Sequence, residues 1–280
     1  MPVQDIFLPL AGHVQPSAEA LGTCAAIARS LGARVAIVAV DTPIAETAHP
    51  FEASSHFVRG ATLSPVRSSA DPDSSLNLFL AEAKRRGVRC DHAVVQGTIE
   101  TAPTMLAEAA RLHDLSLLPV RSHDSALEKT LLALVFSSGR PLLMFPEEQA
   151  ATVPVTFERV AIAWNRSAQA ARAVGDALPL LRAATHVQIF TATDHASEAD
   201  AASGNALVRH LAEHGIGATF ETVALAGSSV GKVFESYVKA NAVDLLVMGG
   251  YGRSWLKEFT WGGATNTILE SPPCWVLMSH

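Results

Sequence analysis

Short apolar runs alternate with helical stretches along this chain, and the whole order comes twice. DIFLPL at 5–10 leads through the turn-like AGHVQP into SAEALGTCAAIARSLG, where Ala, Leu and Ile recur at helical spacing, and then into RVAIVAV at 34–40. The second half repeats this order with RVAIAW at 159–164, the turn NRS, the helical AQAARAVGDALPLLRAA and the strand-like HVQIFTAT at 186–193. The remainder matches as well. SSLNLFLAEAKRRG (74–87) corresponds to ASGNALVRHLAEHG (202–215), and each amphipathic stretch closes on a Gly stop. CDHAVVQG (90–97) and ATFETVALAG (218–227) read as the next strands, and TAPTMLAEAARLHD and SSVGKVFESYVKANAVD as further helices. The buried-type strands LSLLPV (115–120) and LLVMGG (245–250) follow, and the halves end on the apolar PLLMF (141–145) and CWVLM (274–278). Short, fully apolar strands separated by helices predict parallel sheets covered on both faces. The pattern therefore predicts an α/β protein of two similar units, 1–150 and 151–280, joined near PEEQAATVPVTFE at 146–158.

Composition narrows the function classes. With 49% hydrophobic and 17% charged residues, the chain can build a full core, which excludes wholesale disorder. A net charge of −6 argues against a general nucleic-acid or anionic-membrane binder. No apolar run reaches the roughly 20 residues of a membrane-spanning helix. MPVQDIFLPLAGH lacks a basic segment followed by a long apolar core, so no signal peptide is expected. Cys24, Cys90 and Cys274 are odd in number and form no CxxC pair, which points to a reduced, cytoplasmic compartment. The longer, more polar 42–73 segment is expected to be an extended loop or lid.

The stretch 244–265, DLLVMGGYGRSWLKEFTWGGAT, carries the candidate chemistry. A buried strand runs into Gly249, Gly250, Tyr251 and Gly252, and Gly262-Gly263-Ala264-Thr265 then opens the helix TNTILES. Glycines after a strand let the backbone come close to a ligand and aim successive N–H groups into one concavity. A helix opening adds unsatisfied N–H groups and a dipole that favours an anion. Thr265 offers a hydroxyl to phosphate or to the helix cap.

Gly249-x-x-Gly252, nine residues, then Gly262 resembles the G-2x-G-9x-G-(S/T) nucleotide motif of the universal stress protein family. The resemblance covers the second half, including AWNRSAQAARAVGDALPLL and SPPCWVLM, and extends more weakly over the first, as in tandem members. It implies an open five-stranded parallel sheet of order 3-2-1-4-5 in each unit, with ATP, ADP or AMP across the junction of strands 1 and 4. Carried over residue by residue, it implies nucleotide binding by Ala163, Trp164 and Asn165 at the end of the first strand. Phe190 to Ala192, Thr191 among them, would lie near the adenine. Met248, Gly249, Gly252 and Arg253 would follow strand four, and Gly262, Gly263 and Thr265 would hold phosphates. Two residues depart from the family pattern. Asn165 stands where the family often has an Asp that could serve Mg²⁺, and Gly263 stands where Ser or Thr is usual.

The first half reads as degenerate for nucleotide. Pro119 falls where Gly249 sits, no later Gly pair follows VRSHDSALEKTLLALVFSSGRP, and Ala11 falls opposite Asn165. The resemblance also implies dimerisation through the last strand. Here PLLMF and CWVLM are expected to pair within the chain as a pseudo-dimer, with a homodimer left open. The expected role is ATP binding in a stress response, with at most slow hydrolysis and no catalytic residue assigned. The competing reading is a nucleotide-free scaffold that meets a protein partner through 42–73 or through Trp255 and Trp261.

Other candidates are weaker. His210 and His214 have metal-ligand spacing without an acidic or Cys partner, so a solvated helix face is expected. His113, Asp114, His123 and Asp124, with His13 and His49, form a candidate polar or metal cluster at the strand-four end of the first half. There is no GxSxG nucleophile elbow. Lys84-Arg85-Arg86 complements a helix dipole.

Overall fold

The computed structural model describes residues 2–11, 15–41, 75–122, 124–195, 197–250 and 264–280. In the first half it shows β1 (Asp5–Ala11), α1 (Ala18–Leu31), β2 (Arg34–Asp41), α2 (Ser75–Arg86), β3 (Cys90–Gln96), α3 (Ala102–Ala110), β4 (Leu115–Val120), α4 (Ser125–Ser137) and β5 (Leu142–Pro146). A 3₁₀ turn at Glu147–Gln149 leads to the second half. There β6 (Arg159–Ala163), α5 (Ala168–Leu181), β7 (His186–Ala192), α6 (Glu198–Glu213), β8 (Ala218–Val223), α7 (Val230–Ala240), β9 (Leu245–Gly249), α8 (Ala264–Glu270) and β10 (Trp275–Ser279) repeat the order. The 42–73 segment expected as a loop or lid lies outside the described residues.

Helix starts follow local chemistry. Ser17, Ser167, Ser197 and Ser229 precede α1, α5, α6 and α7, and each hydroxyl accepts the backbone N–H three residues on. Gly32 ends α1 at φ 68°, a conformation that costs glycine little.

Strand order is β3-β2-β1-β4-β5-β10-β9-β6-β7-β8, so each half has the expected 3-2-1-4-5 arrangement. The halves are not two separate sheets. The apolar last strands β5 and β10 pair antiparallel, and all ten strands form one sheet. Their register is symmetric. Parallel pairing of β4 with β5 and of β9 with β10 makes Leu142, Leu143 and Met144 the counterparts of Val276, Leu277 and Met278. Across the junction Met144 faces Val276, Leu143 faces Leu277 and Leu142 faces Met278. A local two-fold axis therefore passes between Leu143 and Leu277, and the chain forms its own isologous contact.

This axis keeps equivalent faces on the same side of the sheet. One core layer holds Leu21 and Phe79 of the first half with Ala173 and Leu207 of the second, beneath α1, α2, α5 and α6. The other holds Leu106 and Leu131 with Tyr237 and Ile268, beneath α3, α4, α7 and α8. In each half the helices thus change face between the first and fourth strands. The carboxyl ends of β1 and β4, and of β6 and β9, are the two places where the connections diverge and leave a crevice. Because β5 and β10 run antiparallel, the two crevices open at opposite edges of the molecule.

Candidate functional site

The second-half crevice lies where β6 and β9 pair in parallel, Val160 beside Leu245 and Ile162 beside Val247. Beyond this pairing the chain leaves Ala163 toward α5 on one face and Gly249 toward the other. Of the expected ligand-binding residues, Ala163, Met248 and Gly249 are buried strand ends. Trp164 donates its backbone N–H to the Phe190 carbonyl (2.8 Å) and its indole N–H to the Ser203 hydroxyl (3.0 Å). Its ring packs on the α5/α6 core layer. Thr191, 8% exposed, donates its hydroxyl to the Trp164 carbonyl (2.7 Å), which pins the end of β7 to the β6–α5 turn. Phe190 is fully buried, stacked on Tyr237 at 4.1 Å and edge-on to Phe234 at 5.1 Å, so its ring belongs to the core rather than to a base-binding surface.

Asn165 is exposed at the mouth, and its Oδ1 accepts the Ser167 N–H at 3.2 Å. The side chain thereby turns the backbone into the α5 cap, a local task that an amide performs without charge. Gly249 also has a packing task. A Cβ there would lie 2.6 Å from the Ala170 nitrogen and 2.7 Å from the Gln169 carbonyl carbon, so α5 begins directly against the strand end. A Cβ on Gly250 would meet Val135 of α4 at 2.8 Å, a contact with the other half of the chain. Thr265 is buried in the first turn of α8. Gly252, Arg253, Gly262 and Gly263 lie outside the described residues, as do Trp255 and Trp261.

Sequence reasoning passed over Arg166. It adopts φ 64°, the left-handed region that favours glycine, and its Nε lies 3.2 Å from the Asp200 carboxylate. Asp200 also accepts the Ser197 hydroxyl and backbone N–H, and the Ser197 bonds hold its carboxyl below the usual range. The guanidinium is half-exposed and paired with this carboxylate in the first turn of α6. Only the turn geometry reveals it, since nothing in the spacing of NRS marks a strained arginine.

The structure separates the cluster expected at the strand-four end of the first half. His113 and Asp114 precede β4 and lie at its amino end, whereas Asp124 follows β4 beyond its carboxyl end. His123, His13 and His49 lie outside the described residues. Asp114 accepts the backbone N–H groups of Gln4 (2.8 Å) and Asp5 (3.0 Å), and Asp244 does the same for Glu158 (3.0 Å) and Arg159 (2.8 Å). It is a repeated device that fixes the start of the central strands. His113 stacks on Phe7 at 5.3 Å and sits 3.0 Å from Asp5. His210 and His214 meet edge to face at 4.9 Å. Among the described residues, no group of three or more His, Cys, Asp or Glu side chains stands where it could hold a metal. Burial pushes the thiols of Cys24 and Cys274 well above their ordinary range, which suits core residues rather than nucleophiles. No helix among the described residues is long and apolar enough to cross a membrane.

Two 3-2-1-4-5 units joined in one sheet, the second with glycines after its fourth strand, place the molecule among open α/β folds. Residues 156–280 match the model of the Universal stress protein family. The fold extends over both halves. A universal stress protein from Archaeoglobus fulgidus DSM 4304 is 14% identical with a TM-score of 0.71, covering 98% of this chain and 95% of that one. A putative universal stress protein from Pseudomonas aeruginosa UCBPP-PA14 is 14% identical with a TM-score of 0.56, covering 99% and 93%. No curated protein matches the chain by sequence.

Proposed function

We propose that the second half binds an adenine nucleotide, ATP foremost, at the carboxyl ends of β6 and β9 in a cytoplasmic stress-response role. The observation that carries this reading is a coincidence of motif and topology. Gly249, the first glycine of the G-2x-G-9x-G spacing, ends the one second-half strand that pairs with β6 on the diverging side. The start of α5 lies against Gly249, and a helix N-terminal end favours an anion. In this reading Ala163, Trp164, Asn165 and Thr191 flank the nucleoside, while Met248, Gly249, Gly252, Arg253, Gly262, Gly263 and Thr265 line the phosphate side. The fit to Mg²⁺ is poorer. The Asn165 Oδ1 is spent on Ser167, and the nearby carboxylates of Asp194 and Asp200 are committed to the Ala226 N–H and to Ser197 and Arg166. Any metal would arrive bound by the phosphates and waters.

A second reading rests on Gly249 itself. Its lack of a side chain is fully accounted for by the contact with α5, as a nucleotide-free scaffold requires. Gly262→Val separates the two. Under the nucleotide reading, ATP raises the melting temperature of the wild type and not of the variant, and the variant still folds. Absence of any ATP-dependent rise in the wild type favours the scaffold.

A further inference from the structure

At the first-half strand junction the chain places a carboxylate of its own. Glu147, in the 3₁₀ turn after β5, is 9% exposed, and its Oε1 accepts the Ser17 backbone N–H (2.6 Å) at the cap of α1. The same oxygen accepts Nη2 of Arg121 (3.1 Å), the residue just beyond β4. Arg121 also donates to the Gln15 carbonyl (2.9 Å), and Glu148 accepts the Ser122 N–H (2.9 Å). A carboxylate is therefore buried between the turn that follows β1 and the turn that follows β4, at a helix N-terminus and against a guanidinium. That is the electrostatic environment a bound phosphate would meet.

The second half is built differently at the matching place. Strand registers make Pro119 the counterpart of Gly249 and Pro146 the counterpart of His280. There α5 rests directly on Gly249, and the His280 ring shares a hydrogen bond with the Gly250 carbonyl (2.9 Å). No carboxylate among the described residues lies on the Ser167 N–H as Glu147 lies on that of Ser17.

We infer that Glu147 acts as an internal anion, occupying with Arg121 the position that a ligand phosphate would take in the first half, so that the intact chain holds one nucleotide and not two. The inference rests on the second-half nucleotide reading for the count, and on the Glu147 geometry alone for the internal anion. Pro119 by itself removes one N–H donor, and Glu147 takes the Ser17 N–H and an Arg121 N–H that an anion would otherwise receive.

Thermal unfolding of the full chain tests the internal anion with small anions as probes. Glu147→Ala should melt about 5 °C below the wild type in chloride, because the Ser17 N–H and the half-exposed Arg121 guanidinium lose their acceptor. Sodium formate at matched ionic strength should restore most of that loss, and should leave the wild type unchanged. Glu147→Gln keeps an acceptor for Ser17 but no charge for Arg121, and should fall between. Equal melting of Glu147→Ala and wild type, or a loss that formate does not restore, overturns the inference. Should the Ala variant not fold, wild-type melting by Glu147→Gln overturns it instead. Binding of two ATP equivalents by the wild type also overturns it. Formate rescue without any ATP binding contradicts the second-half reading and leaves the internal anion standing.

Discussion

Gly249 and Gly250 are adjacent in sequence and face different consequences. A methyl on Gly249 would strike the backbone of Gln169 and Ala170, which cannot turn aside, whereas one on Gly250 would meet the rotatable side chain of Val135. Gly249→Ala should therefore cost about 3 kcal/mol, at the upper end of overpacking penalties. Gly250→Ala should cost well under half of that, as read from urea unfolding midpoints. Equal costs would show that α5 can retreat from the strand end. The sequence singled out Gly249 as a candidate nucleotide-binding glycine after a strand. It did not show that α5 supplies a packing reason, because that contact joins residues far apart in the chain. Arg166 and Glu147 escaped for a related reason. A positive φ and a buried carboxylate partner are tertiary facts that leave no mark on spacing.

At the level of elements, strands and helices were legible because the apolar period and the Ser and Gly punctuation agree along the chain. The 146–158 segment was read only as a connection. In the structure it is anchored along its length: Thr23 donates to the Ala150 carbonyl (2.7 Å), Ser30 to that of Val155 (2.9 Å) and the Trp275 indole to that of Pro154 (2.7 Å). Those partners sit in other elements, so local propensity could not name them. The last turn of α2 carries a pH-dependent element. Glu82 accepts two bonds from Arg85 (2.8 and 2.6 Å) and another from Arg86, and the Arg85 bonds foremost hold its carboxyl down at about 2. Its folded value lies below its ordinary 4.5, so its contribution is present above about pH 4.5 and is lost as pH falls toward 2. Glu82→Gln should lower stability at pH 6 and make little difference at pH 2.5. Urea midpoints at the two pH values give this comparison, and a variant equally destabilised at both would contradict it.

For the whole molecule, the β5–β10 junction turns two similar units into one sheet. The boundaries 1–150 and 151–280 are our proposed division of that sheet. Trp275 anchors the junction: it is fully buried, lies 4.4 Å from the Phe145 ring and 5.7 Å from that of Phe157, and bonds the Pro154 carbonyl. Trp275→Ala should cost about 3–5 kcal/mol, as expected for removal of a buried aromatic. Because the ring touches β5, β10 and the connecting segment, the loss should uncouple the halves. The wild type should unfold calorimetrically in one transition and the variant in two. A wild type that already melts in two steps would show that the junction does not couple the halves.

Titration of the intact chain with ATP by calorimetry, with Mg²⁺ present, tests the nucleotide reading most directly. One site of micromolar affinity is expected, at the crevice of β6 and β9. No heat at millimolar ATP from a folded protein would contradict it, and the glycines after β9 would then be features of packing alone.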